Sequence, residues 1–270
     1  MSSPKVVLVT GGSSGIGAAI VKKLSLAGMK VWAGSRRGTL AENLPNAFPV
    51  VMDVTDSNSV KAAVKHILEK EGRIDAVVCN AGNGIAGAIE QTTVEEGKYQ
   101  FETCFWGMHS TITEVLEPMR SQGYGKIITI SSVAALVPIP FQAFYSAAKS
   151  SVLMYTKTLA MELKPFGIQC CSILPGDTKT GFTAARKFVE ASKDSSSVYF
   201  EKTKESVGRM EKDEQNGMSP DTIADAVVRQ LKKKKMAVTV TPRLDYKILV
   251  VLARILPNPL VLWILRLMYM

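Results

Sequence analysis

The 270-residue sequence contains two histidines, four cysteines and no Cys-x-x-Cys pair, so a zinc site or a dithiol redox motif is not indicated. Its longest apolar stretch, 248–270, is interrupted by arginines and prolines, which disfavours a helix that spans a bilayer. A basic-then-apolar signal segment is absent, because a glycine-rich motif already begins at Thr10. We therefore predict a cytoplasmic protein with reduced thiols and no metal site.

Acidic residues are fewer than basic ones, and the formal net charge is +9. Such an excess can serve nucleic acid, an anionic membrane surface or an anionic ligand. The compact basic run is Lys232 to Lys235, and no aromatic side chains that could stack on bases are interleaved with it. We interpret this run as a solvated helix end and expect no nucleic-acid partner.

Short apolar runs alternate with helix-length segments along most of the chain, without internal repeats or low-complexity tracts. Because hydrophobicity within the runs is continuous, they are expected to be strands covered on both faces, which is typical of a parallel sheet. This order predicts an α/β fold: a single-domain, Rossmann-type doubly wound parallel sheet of about seven strands. The predicted strands are KVVLVT, KVWAGS, FPVVMDV, DAVVCNAG, KIITISS, IQCCSILPG and MAVTVTP, and the helices include 15–27, 57–71, 93–121 and 145–164.

Two segments depart from this alternation. Residues 177–220 are polar and follow a strand end, where ligands bind in such folds, so we interpret them as a lid rather than as a surface excursion without function. Residues 248–270 are predicted to form two short apolar helices after a main domain of residues 1–247. We favour packing of this tail on the domain or in a dimer over peripheral contact with a membrane.

The motif TGGSSGIG lies between the first predicted strand and the first predicted helix. Glycines at these positions permit a tight turn and let backbone amides approach a pyrophosphate at the positive end of the helix. The strand before it and the helix after it make the motif a strong indication of dinucleotide binding. The residues expected to bind the cofactor here are Gly11, Ser13, Ser14, Gly15, Ile16 and Gly17.

The second predicted strand ends in GSRR. An NAD site is expected to offer a carboxylate at this strand end for the ribose hydroxyls, whereas arginine can bind the 2'-phosphate of NADP. Arg36 and Arg37 fit the second case, and the nearest acidic residue, Glu42, lies too far along the chain to be the obvious ribose ligand. We therefore predict NADP(H) as the cofactor.

The stretch YSAAK sets Tyr145 and Lys149 four residues apart, on one face of a helix. Taken alone, the pair could be a solvated lysine beside an amphipathic tyrosine. Alternatively, the ammonium lowers the pKa of the phenol, so that the tyrosine can exchange protons near neutral pH.

Together, TGGSSGIG, DVTD, CNAG, ISS and YSAAK resemble the ordered motifs of the short-chain dehydrogenase/reductase family, from about Lys5 to about Thr180. The resemblance implies that Asp53 and Val54 border the adenine. It also implies cofactor contacts from two further strand ends, Asn80, Ala81 and Gly82 in the cleft and Pro175, Gly176, Thr178 and Thr180 near the carboxamide.

By the same resemblance, Ser132 should hydrogen-bond the substrate oxygen and Tyr145 should transfer the proton. Lys149 should lower the pKa of the phenol and bind the nicotinamide ribose. Ser131 is disfavoured, because adjacent strand residues point to opposite faces. The apolar residues near this group favour a large apolar substrate such as a steroid, retinoid or acyl lipid, with Phe141 and Phe182 as contacts.

One position departs from the family pattern: Cys104 stands where an asparagine usually helps to organise a bend and a water of the proton relay. A thiol is a poorer hydrogen-bonding group. The main prediction is an NADP(H)-dependent oxidoreductase acting on a ketone or secondary alcohol, as a homodimer or homotetramer. The alternative, for which Cys104 is the best support, is a non-catalytic dinucleotide-binding sensor or scaffold protein.

Overall fold

The structure, a computed structural model, describes residues 5–270. Its centre is a parallel sheet of seven strands in the order β3-β2-β1-β4-β6-β7-β9, which confirms the predicted fold class. A small second sheet pairs β5 with β8, also in parallel. In the described residues the strands are β1 Val6–Thr10, β2 Lys30–Ser35, β3 Ala47–Val51, β4 Ala76–Cys79, β5 Ile85–Ala86, β6 Gly125–Ile130, β7 Ile168–Ile173, β8 Lys187–Phe188 and β9 Thr239–Val240.

Helices cover both faces of the large sheet, and in the described residues each face has its own large apolar core. One core contains Ile112 and Val152, and the other contains Ile20 and Val227. The described helices are α1 Gly15–Leu26, α2 Ser57–Glu71, α3 Val94–Phe101, α4 Gly107–Gln122, α5 Ala143–Glu162, α6 Phe182–Ala185, α7 Phe200–Gln215, α8 Pro220–Lys232, α9 Leu244–Ile255 and α10 Asn258–Tyr269.

The strands show why hydrophobicity in them is continuous. Cys170 packs in the core below α4 and α5, whereas its neighbour Cys171 packs in the core below α1 and α8. These two cysteines therefore face opposite sides of the sheet, as adjacent residues of a strand do. The prediction of burial on both faces is wrong for β3, where Phe48 and Val51 are exposed because this strand is an edge of the sheet.

The helix predicted over 93–121 is present, because the backbone stays helical from α3 through α4, but it is not a regular α-helix throughout. A π-helical turn, Glu102–Trp106, separates α3 from α4. At the start of α4, Gly107 lies so close to β3's following loop that a Cβ there would be 2.8 Å from Val54 Cγ2. This π-helical turn carries Cys104, which is buried.

Residues 177–220 contain α6, β8 and α7. The segment is attached at both ends, because Thr178 forms an isolated bridge with Met218. In its middle, β8 pairs with β5, which follows the carboxyl end of β4. This polar segment is therefore a folded layer, and it packs at the edge of the sheet where the strands end.

The apolar tail forms α9 and α10, which are separated at Leu256 and Pro257. The boundary predicted after residue 247 falls inside α9, which already begins at Leu244. The reason is that the ring of Tyr246 packs against Gly176 and anchors the first turn of the helix to the domain. Across residues 5–270, no helix is both long and apolar enough to cross a membrane.

Candidate active site

The loop from β1 to α1 provides a cradle made of glycine backbone. Gly11 and Gly15 have positive φ angles of 65° and 54°, which glycine adopts without strain. A methyl group on Gly17 would collide with the carbonyl oxygen of Gly11 and would lie 2.6 Å from Asn80 Nδ2. Side chains are therefore excluded from the turn, and a bound group can reach the main chain.

The first turn of α1 is open to an anion. Its N-cap, Ser14, forms no side-chain capping bond, and the first turn contains no acidic residue. The free N–H groups and the helix dipole favour a phosphate at this position. The residues of the glycine motif therefore fit the pyrophosphate of a dinucleotide.

The end of β4 is fixed to this loop by hydrogen bonds. The amides of Asn80 and Ala81 both donate to Thr10 Oγ1 at 3.0 Å. Asn80 Nδ2 donates to the carbonyl oxygens of Thr10, at 3.0 Å, and Gly11, at 3.3 Å. The structure thus brings the CNAG motif next to the glycine motif, as a shared dinucleotide site requires.

The end of β2 presents Arg36 and Arg37, which are both exposed. Within residues 5–270 neither guanidinium forms an ion pair with a carboxylate, so both are available to an anionic group. The carboxylate of Asp53 accepts hydrogen bonds from the amide and the hydroxyl of Thr55, at 3.0 and 2.8 Å. Val54 is buried beside Gly107.

The chain after β7 closes the same side of the site. A Cβ on Gly15 would lie 3.5 Å from Thr180 Cβ, so this threonine reaches the glycine loop. The carbonyl of Pro175 accepts a 2.9 Å hydrogen bond from the amide of Val133. Thr178 is buried and donates to the carbonyl of Gly176 at 2.8 Å. These strand-end residues therefore lie between the glycine loop and the serine segment.

Ser132, Tyr145 and Lys149 converge at the start of α5. Lys149 Nζ lies 5.7 Å from the centre of the Tyr145 ring and donates to the carbonyl of Ile130 at 2.9 Å. Ser132 Oγ donates to the carbonyl of Pro175 at 3.5 Å and accepts from the amide of Ala134 at 3.1 Å, and its hydroxyl is one of the groups that lower the pKa of the Tyr145 phenol. The helical spacing of tyrosine and lysine thus places both groups beside the serine that precedes the helix.

The two serines that end β6 have different environments. Ser131 Oγ donates to the carbonyl of Lys149 at 2.8 Å and so fastens the strand to α5. Ser132 is the serine beside Tyr145. The sequence favours Ser132 because adjacent strand residues point to opposite faces, and the two serines do have different partners.

The pKa of Tyr145 is raised, which differs from the expectation that Lys149 brings it down. Desolvation of the phenol is the largest cause, and it disfavours the phenolate. The charge of Lys149 and the hydroxyl of Ser132 act in the opposite direction and offset part of this rise. The tyrosine of the protein alone is therefore a protonated group, suited to donate a proton.

Cys104 lies in a buried polar cluster that the sequence did not indicate. Gln100, which is fully buried, donates from Nε2 to Cys104 Sγ at 3.1 Å and to the carbonyl and Oδ1 of Asn83 at 2.9 and 3.0 Å. Its Oε1 accepts from the amide of Ile85 at 2.9 Å. We call Asn83, Gln100 and Cys104 the amide–thiol cluster. The four-residue spacing of Gln100 and Cys104 on a predicted helix was the available signal.

The two proposed substrate contacts lie in different places. The ring of Phe182 is 5.8 Å from that of Tyr145 and covers Gly84, where a Cβ would be 2.7 Å from it. Phe141 instead packs with the cluster of Ala86, Val207 and Met210, to which Tyr269 of α10 also belongs. The contacts thus place Phe182 at the tyrosine and Phe141 in a separate apolar cluster, which contains residues of α7 and is also contacted by the tail.

Tyr246 is a second residue near the site that sequence reasoning missed. Its hydroxyl donates to Asp177 Oδ2 at 2.6 Å and accepts from the amide of Asp177 at 3.0 Å. Burial raises the pKa of Asp177. This contact joins α9 to the strand end after β7, and no motif in the tail marks it.

A doubly wound sheet with a glycine cradle at its first strand end, and with serine, tyrosine and lysine side chains brought together nearby, defines a class of dinucleotide-dependent oxidoreductases. A sequence model described as short chain dehydrogenase matches residues 5–190. The chain belongs to the short-chain dehydrogenase family, as its motifs predicted.

Named relatives agree with this assignment. The chain is 39% identical over 231 residues to a 3-ketodihydrosphingosine reductase of Bacteroides thetaiotaomicron, covering 86% of this chain and 85% of the relative. A short-chain dehydrogenase from Streptomyces avermitilis has a similar structure, with a TM-score of 0.83 and 29% identity over 93% of this chain and 92% of that one. A 3-ketoacyl-(acyl-carrier-protein) reductase from Brucella melitensis complexed with NADH has a TM-score of 0.72 and 25% identity, over 88% and 97% of the two chains.

Proposed function

We propose that this oxidoreductase uses NADPH to reduce the ketone of a large apolar molecule, a long-chain 3-keto lipid of the 3-ketodihydrosphingosine type. The observation that carries the proposal is the protonated Tyr145 with Phe182 against its ring. The named relative, similar over most of both chains, acts on such a ketone and supports the substrate class. Arg36 and Arg37, exposed at the end of β2, support NADPH over NADH.

In this proposal the residues of the chain bind the cofactor, orient the ketone and protonate its oxygen. The bound cofactor supplies the hydride. Ser132 Oγ orients the ketone oxygen, and Tyr145 donates its hydroxyl proton to that oxygen as charge develops there. Lys149, held by the carbonyl of Ile130, stabilises the phenolate that the tyrosine becomes.

The test is oxidation of NADPH, followed by absorbance, with a panel that includes 3-ketodihydrosphingosine, a steroid ketone and a short water-soluble ketone. We expect the sphingoid ketone to be the preferred substrate. Tyr145→Phe should abolish turnover and leave the affinity for NADPH nearly unchanged, because only the proton donor is lost. Phe144→Tyr is the control variant. It adds a hydroxyl at the neighbouring position and keeps Tyr145, so its turnover should be retained. Substantial turnover by Tyr145→Phe would contradict the proposed mechanism.

The non-catalytic sensor or scaffold is the weaker candidate. Cys104 was the support for this candidate. The thiol is buried and hydrogen-bonded, because it accepts from Gln100 Nε2 and donates to Asn83 Oδ1. The three groups needed for proton transfer are also together. These observations favour turnover.

For the assembly and location we keep the predictions made from the sequence: a homodimer or homotetramer in the cytoplasm, with peripheral contact of the tail with a membrane as the alternative. The support for the location is that Cys79, Cys104, Cys170 and Cys171 are all free and buried. Burial raises the pKa of Cys170 and of Cys171 to about 12 each, so their thiols are unreactive at neutral pH.

A further inference from the structure

The outer side of the two tail helices is apolar and exposed. In α9 only Val250 is buried, and in α10 only Leu265. The exposed apolar side chains of these helices include Ile248, Val251, Ile255, Leu262, Trp263 and Leu267, each of which is 52–69% exposed. We call these six residues the tail surface. Apolar residues scattered singly on a surface need no partner, but such a concentration on two consecutive helices marks an interaction site.

The dimensions of the helices suit a position along an interface. Each helix has 12 residues, and at about 1.5 Å per residue neither reaches across a hydrocarbon layer about 30 Å thick. The chain turns between them at Pro257, whose ring cannot continue a helix hydrogen-bond ladder. Two short amphipathic helices of this kind can lie in the plane of a bilayer surface.

The charges around the tail surface favour a partner with negative charge. From Leu244 to Tyr269 the exposed cations are Lys247, Arg254 and Arg266, and the single carboxylate, Asp245, is already paired with Arg243. A second copy of this chain would bring the same cations against one another. An anionic lipid surface offers the opposite charge, and long cationic side chains can reach it while their stems remain in the apolar layer.

A groove at one end of the tail surface has the mixed character of a site for an anionic amphiphile. Its volume is about 430 Å³, and it is lined by Arg209, Trp263, Arg266, Leu267 and Met270. Arg209 is positioned there by an ion pair with Glu205 and by a 3.2 Å hydrogen bond to the carbonyl of Met268. Arg266 forms no ion pair within residues 5–270, so its donors are available to a headgroup.

We propose that the tail surface docks α9 and α10 onto an anionic lipid bilayer. The inner sides of the same helices reach two clusters of the domain: Val250 belongs to the cluster of Val133, which follows Ser132, and Tyr269 packs against the cluster that Phe141 also contacts. Docking therefore places these two clusters near the membrane. A role of this placement in delivery of a lipid ketone rests on the proposed function, whereas docking itself does not.

The experiment is sedimentation of the full-length protein with phosphatidylcholine vesicles, with and without phosphatidylglycerol, at low and high salt. It contains neither ketone nor cofactor, so it can fail independently of the proposed reaction. We expect binding to the anionic vesicles that weakens as salt rises. Absence of binding to them at low salt would overturn the proposal.

Matched variants separate the tail surface from exposed apolar residues in general. Ile255 and Leu267 are 69% and 63% exposed, as are Met161 and Leu26 elsewhere on the protein. Ile255→Ser with Leu267→Ser should weaken vesicle binding by about tenfold or more, since two large side chains no longer enter the lipid. Met161→Ser with Leu26→Ser should leave binding unchanged. Equal binding by the two double variants would overturn the proposal.

A charge variant and a size measurement complete the test. Arg266→Gln should reduce the salt-dependent part of binding, whereas Arg120→Gln on the exposed end of α4 should not. Sedimentation velocity without lipid tests the competing partner, a second copy. Loss of an oligomer in the Ile255→Ser, Leu267→Ser variant, without any vesicle binding by the wild type, would assign the surface to self-association instead.

Discussion

The environment of Tyr145 is a balance between two opposing effects at one hydroxyl. Desolvation raises the pKa of the phenol, and the charge of Lys149 lowers it. A four-residue spacing shows only the second effect, because burial depends on Phe182 and on the segment that carries it. The net result is a tyrosine that stays protonated at neutral pH, which is the form that a ketone reductase requires.

This balance predicts opposite pH dependences for the two directions of reaction. Ketone reduction needs the phenol, so its rate should be level through neutral pH and fall only under alkaline conditions. Alcohol oxidation needs the phenolate, so its rate should rise with pH. Lys149→Met removes the effect that lowers the pKa and should move the rise in oxidation to higher pH. The measurement is kcat against pH at saturating cofactor. An unchanged profile in the variant would show that Lys149 does not tune the tyrosine.

A second prediction at the residue scale concerns the 2'-phosphate of the cofactor. Arg36→Ala should weaken NADPH by about 1.5–3 kcal/mol, the usual contribution of a hydrogen bond to a charged group, and should leave NADH nearly unchanged. Dissociation constants for both cofactors, measured by fluorescence or calorimetry, provide the comparison. Arg120→Ala is the control for loss of a surface charge. Equal losses for NADPH and NADH would mean that Arg36 does not contact the phosphate.

At the scale of elements, the π-helical turn between α3 and α4 forms although cysteine occupies the position where an asparagine is usual. The amide–thiol cluster explains how the turn is held. Gln100 connects the turn to Asn83 and Ile85, which follow β4 and the residues proposed to bind the cofactor, Asn80, Ala81 and Gly82. Lys149 Nζ and Cys104 Sγ both lie near Gly82, each 3.6 Å from the position of a Cβ at this residue. The cluster therefore supports the floor of the site.

This role predicts that Gln100 contributes more to stability than Cys104. Gln100→Leu leaves the amide of Ile85 and the carbonyl of Asn83 without their partner, and should lower the free energy of unfolding by about 2 kcal/mol or more. Cys104→Asn keeps a hydrogen-bonding group at the turn and should leave turnover unchanged or raise it. Chemical denaturation and steady-state rates check the pair. Severe loss of turnover by a folded Cys104→Asn variant would instead make the thiol itself functional.

At the scale of the whole molecule, the features that the sequence predicts involve residues close together in the chain. The features that it misses involve residues far apart in the chain. The glycine motif, the strand ends and the Tyr145–Lys149 spacing are local patterns, and they predicted the sheet and the positions that converge. The contact of Tyr246 with Asp177 spans 69 residues, and the pairing of β5 with β8 joins two-residue strands about 100 residues apart. Such contacts depend on the folded arrangement, and short strands without a periodic pattern give no local signal.

Distant parts of the chain also contribute Phe182 at the tyrosine and the apolar cluster with Phe141 and Tyr269. As an apolar wall for the proposed substrate, these side chains predict a dependence on substrate length. Phe182 comes from the segment after β7, Phe141 from the turn before α5 and Tyr269 from the tail. If the chain of a lipid ketone lies against this wall, each added methylene should contribute about 0.8 kcal/mol, or roughly fourfold in kcat/KM, until the wall is covered. A series of 3-keto compounds of increasing chain length measures this slope.

Phe182→Ala should reduce kcat/KM for long ketones more than for short ones, whereas Phe166→Ala, at an exposed position after α5, should affect neither. A series without slope in the wild type would rule out a long apolar substrate, and the tail helices would then have to be explained by lipid docking or association alone.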